Sequence, residues 1–311
     1  MEIPRSEIAA AERRIAGDIR RTPLWRIPGR ALGVDVAELW LKLEHLQVGG
    51  SFKARGMFNR MRANPVPAAG VVIASGGNAG IAVAHAARSL GVRCEVFVPE
   101  TSSRAKQEAL AQLGAVVNVG GASYADALAA SLLRQAESGA LLMHAYDQRE
   151  VVAGAGTLAA EVEAEAGIPD RALVSVGGGG LVAGVCAWFQ DRCTIDALEP
   201  ALAPTLAKAR AAGLPVDVEV SGIAADSLGA RRIGAIAWAL TGRYVRASHL
   251  LEDRAIRAAQ QLLWSELRLA VEPAAALPLA ALATRTVVPT SDEKVLLVIC
   301  GANLDPATLA A

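Results

Sequence analysis

Gly49-Gly50-Ser51-Phe52-Lys53-Ala54-Arg55-Gly56 decides the reading of this 311-residue chain, because it puts a lysine where an apolar segment, Leu39 to Leu43, gives way to a helical pattern marked by Phe52, Met57 and Met61. Ser51 reads as the N-cap of that helix, which places Lys53 in its first turn. A helix start carries partial positive charge, and Phe52 keeps water away, so both features lower the pKa of the amine. A free amine condenses with carbonyl compounds and can then carry protons. A solitary lysine is more often a solvated surface group, so the functional reading depends on what lies around it.

Working outward, a short amphipathic helix is expected from about Ser6 to Gly17, followed by an extended lead-in at Arg21-Thr22-Pro23-Leu24. Beyond the Lys53 helix, Asn64-Pro65-Val66-Pro67 interrupts the pattern and reads as a crossing between lobes. Strands and helices then alternate: Val71–Ala74 with Asn78–Leu90, Cys94–Val98 with Ser103–Leu113, Ala115–Val119 with Tyr124–Glu137, and a closing strand at Leu141–His144. A second set opens with a helix over Val151–Ala166. It continues through strands at Arg171–Val176, Thr194–Glu199, Tyr244–Val245 and Val295–Cys300, with helices starting near Leu181, Thr205, Leu228, Glu252 and Pro273. This rhythm predicts an α/β fold of two doubly wound lobes, each a mainly parallel sheet flanked by helices, with the ligand in the cleft between them. Residues 1–64 and 149–311 are expected to form the large lobe and 65–148 the small one. No regulatory domain is expected after Asn303.

Apolar residues make up 53% of the chain and aromatics 4%, so the core must be built from aliphatic side chains, with alanine and glycine allowing close helix packing. Basic and acidic residues balance at 31 each, which leaves no field for nucleic acid or anionic lipid. No signal peptide and no apolar run of ~20 residues is present, so no membrane partner is expected. Cys94, Cys186, Cys193 and Cys300 lack metal or disulfide spacing, which suits a reduced cytoplasm. His45, His85, His144 and His249 share no spacing and read as structural.

Three further stretches carry chemistry. Gly177-Gly178-Gly179-Gly180, between a strand and the helix opened by Leu181, lets backbone N–H groups converge on one anion, preferably a phosphate. The same loop fits a dinucleotide pattern, Gly178-x-Gly180-x-x-Ala183 with Glu199 on the ribose, but that leaves Lys53 without a task. Ala74-Ser75-Gly76-Gly77-Asn78-Ala79-Gly80 leaves a strand and enters a helix, where Ser75 and Asn78 offer hydrogen bonds and the helix start favours a carboxylate; it is also what an ordinary capping turn looks like. Cys300, at the end of the last strand, is either a small buried hydrophobe or the neutral partner of a ligand's ring nitrogen.

Taken in order, these motifs resemble the pyridoxal-phosphate enzymes of the serine/threonine dehydratase family, fold type II and tryptophan synthase beta-like, from Thr22-Pro23-Leu24 to Asn303-Leu304-Asp305. The resemblance implies that Lys53, beside Phe52, carries pyridoxal 5'-phosphate, that Gly177 to Gly180 with Leu181 bind its phosphate, and that Asn78 meets its ring oxygen. It also puts Cys300 at the ring nitrogen, Glu272 near the ring, and Ser75, Gly76, Asn78 and Ala79 at the substrate carboxylate. A neutral thiol makes the ring a weaker electron sink than a carboxylate would, favouring prompt β-elimination. Gly76 stands where serine racemases of the family have a serine as second base, so dehydration is expected over racemisation. Ala79 replaces a histidine, and Thr205 replaces the second acid of a cation site that some members have, so no metal is expected. The implied reaction is dehydration and deamination of L-threonine or L-serine to a 2-oxo acid and ammonia by a homodimer. Alternatives are β-replacement and the dehydration of 3-hydroxyaspartate or phenylserine.

Overall fold

The computed structural model describes residues 2–309 and contains two sheets. Ten strands run in chain order as β1 (Leu24–Pro28), β2 (Glu38–Lys42), β3 (Val71–Ala74), β4 (Cys94–Val98), β5 (Val116–Val119), β6 (Leu141–Leu142), β7 (Arg171–Ser175), β8 (Thr194–Pro200), β9 (Val245–Leu251) and β10 (Lys294–Val298). The larger sheet has the order β1-β2-β10-β7-β8-β9 and the smaller β5-β4-β3-β6. The smaller is parallel throughout. In the larger only β1 runs against its neighbour, β2. The strands buried on both faces are unbroken aliphatic runs, Val71–Ala74 and Leu173–Val174 among them, as parallel sheets covered by helices require.

The strand orders create two switch points. In the larger sheet the chain leaves β7 toward β8 and β9, while β10 returns on the other flank of β7. In the smaller sheet β3 leads to β4 and β5, while β6 returns on its other flank. Ligands of open α/β sheets bind beyond the strand carboxyl ends at such points. Here those ends deliver Gly177 and Cys300 from the larger sheet, and Ser75 and Ala145 from the smaller.

The helix Lys53–Ala63 joins the two halves. Ala54, Met57, Phe58 and Met61 pack in the apolar core of the smaller sheet, while Arg55 turns into a fully buried ionic cluster. Its guanidinium meets Glu44 at 2.7 Å and 2.8 Å and Glu161 at 2.7 Å and 2.8 Å, and Lys42 meets Glu161 at 2.5 Å. Thr157 accepts from Arg55 at 3.0 Å, and Thr22 donates to Glu44. Close approach of the helix Arg149–Ala166 makes this possible, because a Cβ on Gly154 would stand 2.5 Å from the Arg55 carbonyl oxygen. The abundance of alanine and glycine thus serves helix contact, as the composition suggested.

Several boundaries differ from the sequence reading. Ser51 is not the N-cap: it is extended and bridged to Gly301, its buried hydroxyl has no partner, and Phe52 precedes the helix in a helical conformation. No helix starts at Leu228; a four-residue helix, Ala225–Leu228, ends there and the next runs Ala235–Tyr244. β9 is seven residues long rather than two, and β6 is only two. The lead-in at Leu24 proves to be an edge strand paired with β2.

Replacing Arg55 by leucine strands Glu44 as a buried carboxylate without its ion-pair partner and leaves Glu161 with Lys42 alone. Denaturant unfolding should show a loss of about 3–5 kcal/mol; a loss below about 1 kcal/mol would mean that the cluster does not hold the helix.

Candidate active site

Lys53 reaches the site because the chain before its helix is stitched to the segment after β10. Ser51 bridges Gly301, the Phe52 N–H donates to the Cys300 carbonyl at 3.1 Å, and the Ala302 N–H donates to Gly50 at 2.9 Å. The amine donates to the Ala145 carbonyl at 2.6 Å and stands 5.1 Å from the centre of the Phe52 ring. Burial lowers its pKa to about 8, so the shift anticipated from a helix start arises from desolvation.

One cavity is lined by Phe52, Lys53, Asn78, Glu272 and Cys300, and by the loop Gly177–Gly180 with Leu181. Among the described residues no protein acceptor meets the N–H groups of Gly177, Gly178 and Gly179. The helix Gly180–Phe189 adds the free N–H groups of its first turn. Gly179 has φ +89°, which a side chain would strain. A Cβ on Gly177 would stand 2.9 Å from the Leu228 Cα, so the loop has no room for one. Converging unsatisfied donors at a helix start form an anion nest.

Asn78 opens the helix Asn78–Leu90 but does not cap it; Gly77 is the N-cap residue. The Asn78 amide donates to both oxygens of Glu272, at 2.9 Å and 3.0 Å, and its oxygen accepts from Asn303 at 2.7 Å. Asn303 also donates to the Gly49 carbonyl, so three chain segments meet there. Burial pushes Glu272 up to about 7 against the opposing effect of Asn78 and Lys53. Burial likewise pushes the Cys300 thiol well above its ordinary value, so it is neutral at physiological pH. The amine, the neutral thiol and the phosphate-sized nest fit a phosphorylated pyridine aldehyde such as pyridoxal phosphate.

Three residues expected at the substrate carboxylate do not line this cavity. Ser75 and Gly76 lie in the turn beside it, where a Cβ on Gly76 would meet the Ser102 hydroxyl at 3.1 Å and Val98 at 3.3 Å. The Ala79 side chain belongs to the core of the smaller sheet. Glu199 is committed elsewhere: it accepts from the Leu206 and Ala207 N–H groups and from Ser248. It therefore closes a helix start, and the dinucleotide reading loses its ribose ligand.

Sequence reasoning missed the segment after β6. The Tyr146 ring covers Gly178, which has room only because it lacks a Cβ. His144, read as structural, accepts from the Tyr146 and Asp147 N–H groups at 3.3 Å and 2.9 Å and so shapes that turn. Asp147 in turn accepts from Ala235 and Ile236 at the start of their helix. An aromatic residue three positions before a helix carries no periodic signal, so nothing in the pattern pointed to it.

Comparison with known proteins places this geometry. Residues 15–301 match the model of the pyridoxal-phosphate dependent enzyme family. L-threonine ammonia-lyase of Geobacter sulfurreducens is 35% identical over 99% of this chain and 77% of its own length. Phenylserine dehydratase of Ralstonia pickettii is 33% identical over 98% of this chain and 94% of its own. The structure of maize serine racemase superposes with a TM-score of 0.93 at 29% identity, covering 100% of this chain and 96% of that one. With amine, nest and thiol gathered in one cavity, the chain belongs to the pyridoxal-phosphate dependent enzymes.

Proposed function

We propose that this enzyme dehydrates and deaminates a β-hydroxy amino acid, L-threonine or L-serine, to 2-oxobutanoate or pyruvate and ammonia. The observation that supports it is the single cavity lined by the Lys53 amine, the Gly177–Gly180 nest and the neutral Cys300 thiol. When bound, pyridoxal phosphate supplies an aldehyde that condenses with amines and a conjugated ring that draws electrons from the α-carbon.

On this reading the loop from Gly177 to Gly180, with Leu181, holds the phosphate through its free N–H groups. Lys53 would hold the cofactor through its amine, and its Nζ would take the substrate's α-proton. Cys300, as a neutral thiol lining the cavity, would meet the ring nitrogen without protonating it, which would keep the electron sink weak and favour loss of the β-hydroxyl. Asn78 is fixed by Glu272 and Asn303 beside the ring. Ser75, Gly76, Asn78 and Ala79 receive the substrate carboxylate through the turn and the helix start behind it. Gly76 offers no second base, which supports elimination over racemisation. The division into 1–64 with 149–311 and 65–148, a homodimeric assembly and a cytoplasmic location belong to the same proposal; no helix among the described residues is long and apolar enough to cross a membrane.

The relatives favour a second reading on one point, the size of the side chain, because one of the two acts by name on phenylserine. A 2-oxo acid assay across L-threonine, L-serine, phenylserine and 3-hydroxyaspartate, with ammonia measured and no added nucleophile, decides among these and against β-replacement. Lys53→Ala should abolish turnover and the borohydride-trappable link to the cofactor; retained activity would refute the assignment. No D-serine should form from L-serine, as a chiral separation of the products would reveal.

The pH dependence follows from the amine. Only the unprotonated form captures the aldehyde, so the rate at which apoprotein takes up pyridoxal phosphate should rise with pH up to about 8 and level off above it. A midpoint near the ordinary 10.5 would contradict the buried setting of Lys53.

A further inference from the structure

Ala225–Leu228 is a single helical turn whose last two residues, Ser227 and Leu228, line the cavity. The Asp226 carbonyl oxygen lies 3.3 Å from where a Cβ on Gly77 would stand, against the turn that leads to Asn78. The Leu228 Cα lies 2.9 Å from the corresponding point on Gly177, against the nest. The exposed Asp226 carboxylate pairs with Lys106 at 2.7 Å. Ser227, between these two contacts, lines the cavity that holds Lys53.

Two hydroxyl residues line that cavity. Ser175 donates to the Ala274 carbonyl at 2.7 Å and is spent on the fold. Ser227 is half-buried, its N–H is bonded to the Ala224 carbonyl, and among the described residues nothing bonds its hydroxyl. A hydroxyl without a protein partner, on a residue that lines the same cavity as a proton-carrying amine, is a place for a ligand group that both donates and accepts.

We propose that Ser227 is a specificity-determining residue whose hydroxyl bonds the β-hydroxyl of the substrate. The inference rests on the dehydratase reading above and adds to it the group that distinguishes a β-hydroxy amino acid from its unsubstituted analogue. The carboxylate is assigned to the turn before Asn78, and the approach of the Asp226 carbonyl to Gly77 brings Ser227, a residue of the cavity lining, to the neighbourhood of that turn. A site built to bond a hydroxyl rejects the analogue that lacks it, because its own polar group is then left unpaired.

The test compares leaving groups. Ser227→Ala should lower kcat/KM for L-serine about tenfold, the value of one hydrogen bond of about 1.4 kcal/mol. Elimination from β-chloro-L-alanine, whose chlorine neither donates nor accepts strongly, should stay within about twofold. Equal losses on both substrates, or none on either, would overturn the proposal. Calorimetry gives an independent readout: in cofactor-loaded Lys53→Ala protein, which cannot turn over, Ser227→Ala should reduce the preference for L-serine over L-alanine about tenfold. An unchanged preference would overturn the role of Ser227. A wild-type enzyme that forms no 2-oxo acid from L-serine, L-threonine, phenylserine or 3-hydroxyaspartate would instead sink the dehydratase reading, while the calorimetric ratio would still decide the contact.

Discussion

A buried cluster of two cations and two anions, Arg55 and Lys42 with Glu44 and Glu161, is the constraint on which the site depends. Removing such charges from water costs several kcal/mol each, and the cost is recovered only if every donor and acceptor is met. Here the guanidinium spans both carboxylates, the ammonium reaches Glu161 and the Thr22 carbonyl, and two threonine hydroxyls complete the set. A hydrophobic contact would tolerate a slip of the helix along its neighbours. This cluster does not, because displacing the helix would leave a full charge unpaired. Arg55 lies two residues after Lys53, so whatever fixes the guanidinium fixes the amine.

The cluster sits where three elements of different origin meet: the end of β2, the Lys53 helix and the helix Arg149–Ala166. The latter two approach so closely that Gly56 and Gly154 have no room for side chains; a Cβ on Gly56 would stand 2.7 Å from the Val151 carbonyl oxygen. Contact at this distance explains how a chain with 4% aromatics builds a dense interior: backbone meets backbone, and buried alanines fill what remains. The same economy places the Lys53 helix against the smaller sheet on one side and the ionic cluster on the other, so it belongs to the packing of both.

Much of this was legible in the sequence, for reasons that can be stated. Doubly buried strands such as Val71–Ala74 are continuous aliphatic runs, and the glycine loop and the Lys53 segment are local motifs whose chemistry does not depend on distant partners. What escaped is what depends on them. β9 is an edge strand whose exposed and half-buried residues, Arg246 to Leu250, break the apolar run, so only its first residue was recognisable. Ser51 has the composition of a cap, but its backbone is claimed by Gly301, far along the chain. Arg55 looks like a solvated helix residue until Glu44 and Glu161 are folded around it. Tyr146 and Ser227 sit on short connecting segments, where neither period 2 nor period 3.6 applies, and only folding brings Ser227 to the cavity and the Tyr146 ring against Gly178.

The electrostatics of the cavity follow from the same arrangement. Lys53, Glu272 and Cys300 are all buried, and in each case burial is the largest influence and acts against the charged form. A site that penalises every charge holds its groups near neutrality, so protons move between them at little cost, which suits proton transfer to and from an amine near neutral pH. Glu272 is kept from full neutralisation by the Asn78 amide and by Lys53, so protonating the amine and ionising the carboxyl support each other. Cys300 acts on the amine in the same sense as Glu272, so the three groups influence one another. On the proposed reading, the neutral thiol would keep negative charge from the ring nitrogen, and the proton-carrying groups would be Lys53 and Glu272 of the same cavity. The folding constraint that buries the Lys53 helix and the chemical constraint that tunes its amine are then one and the same.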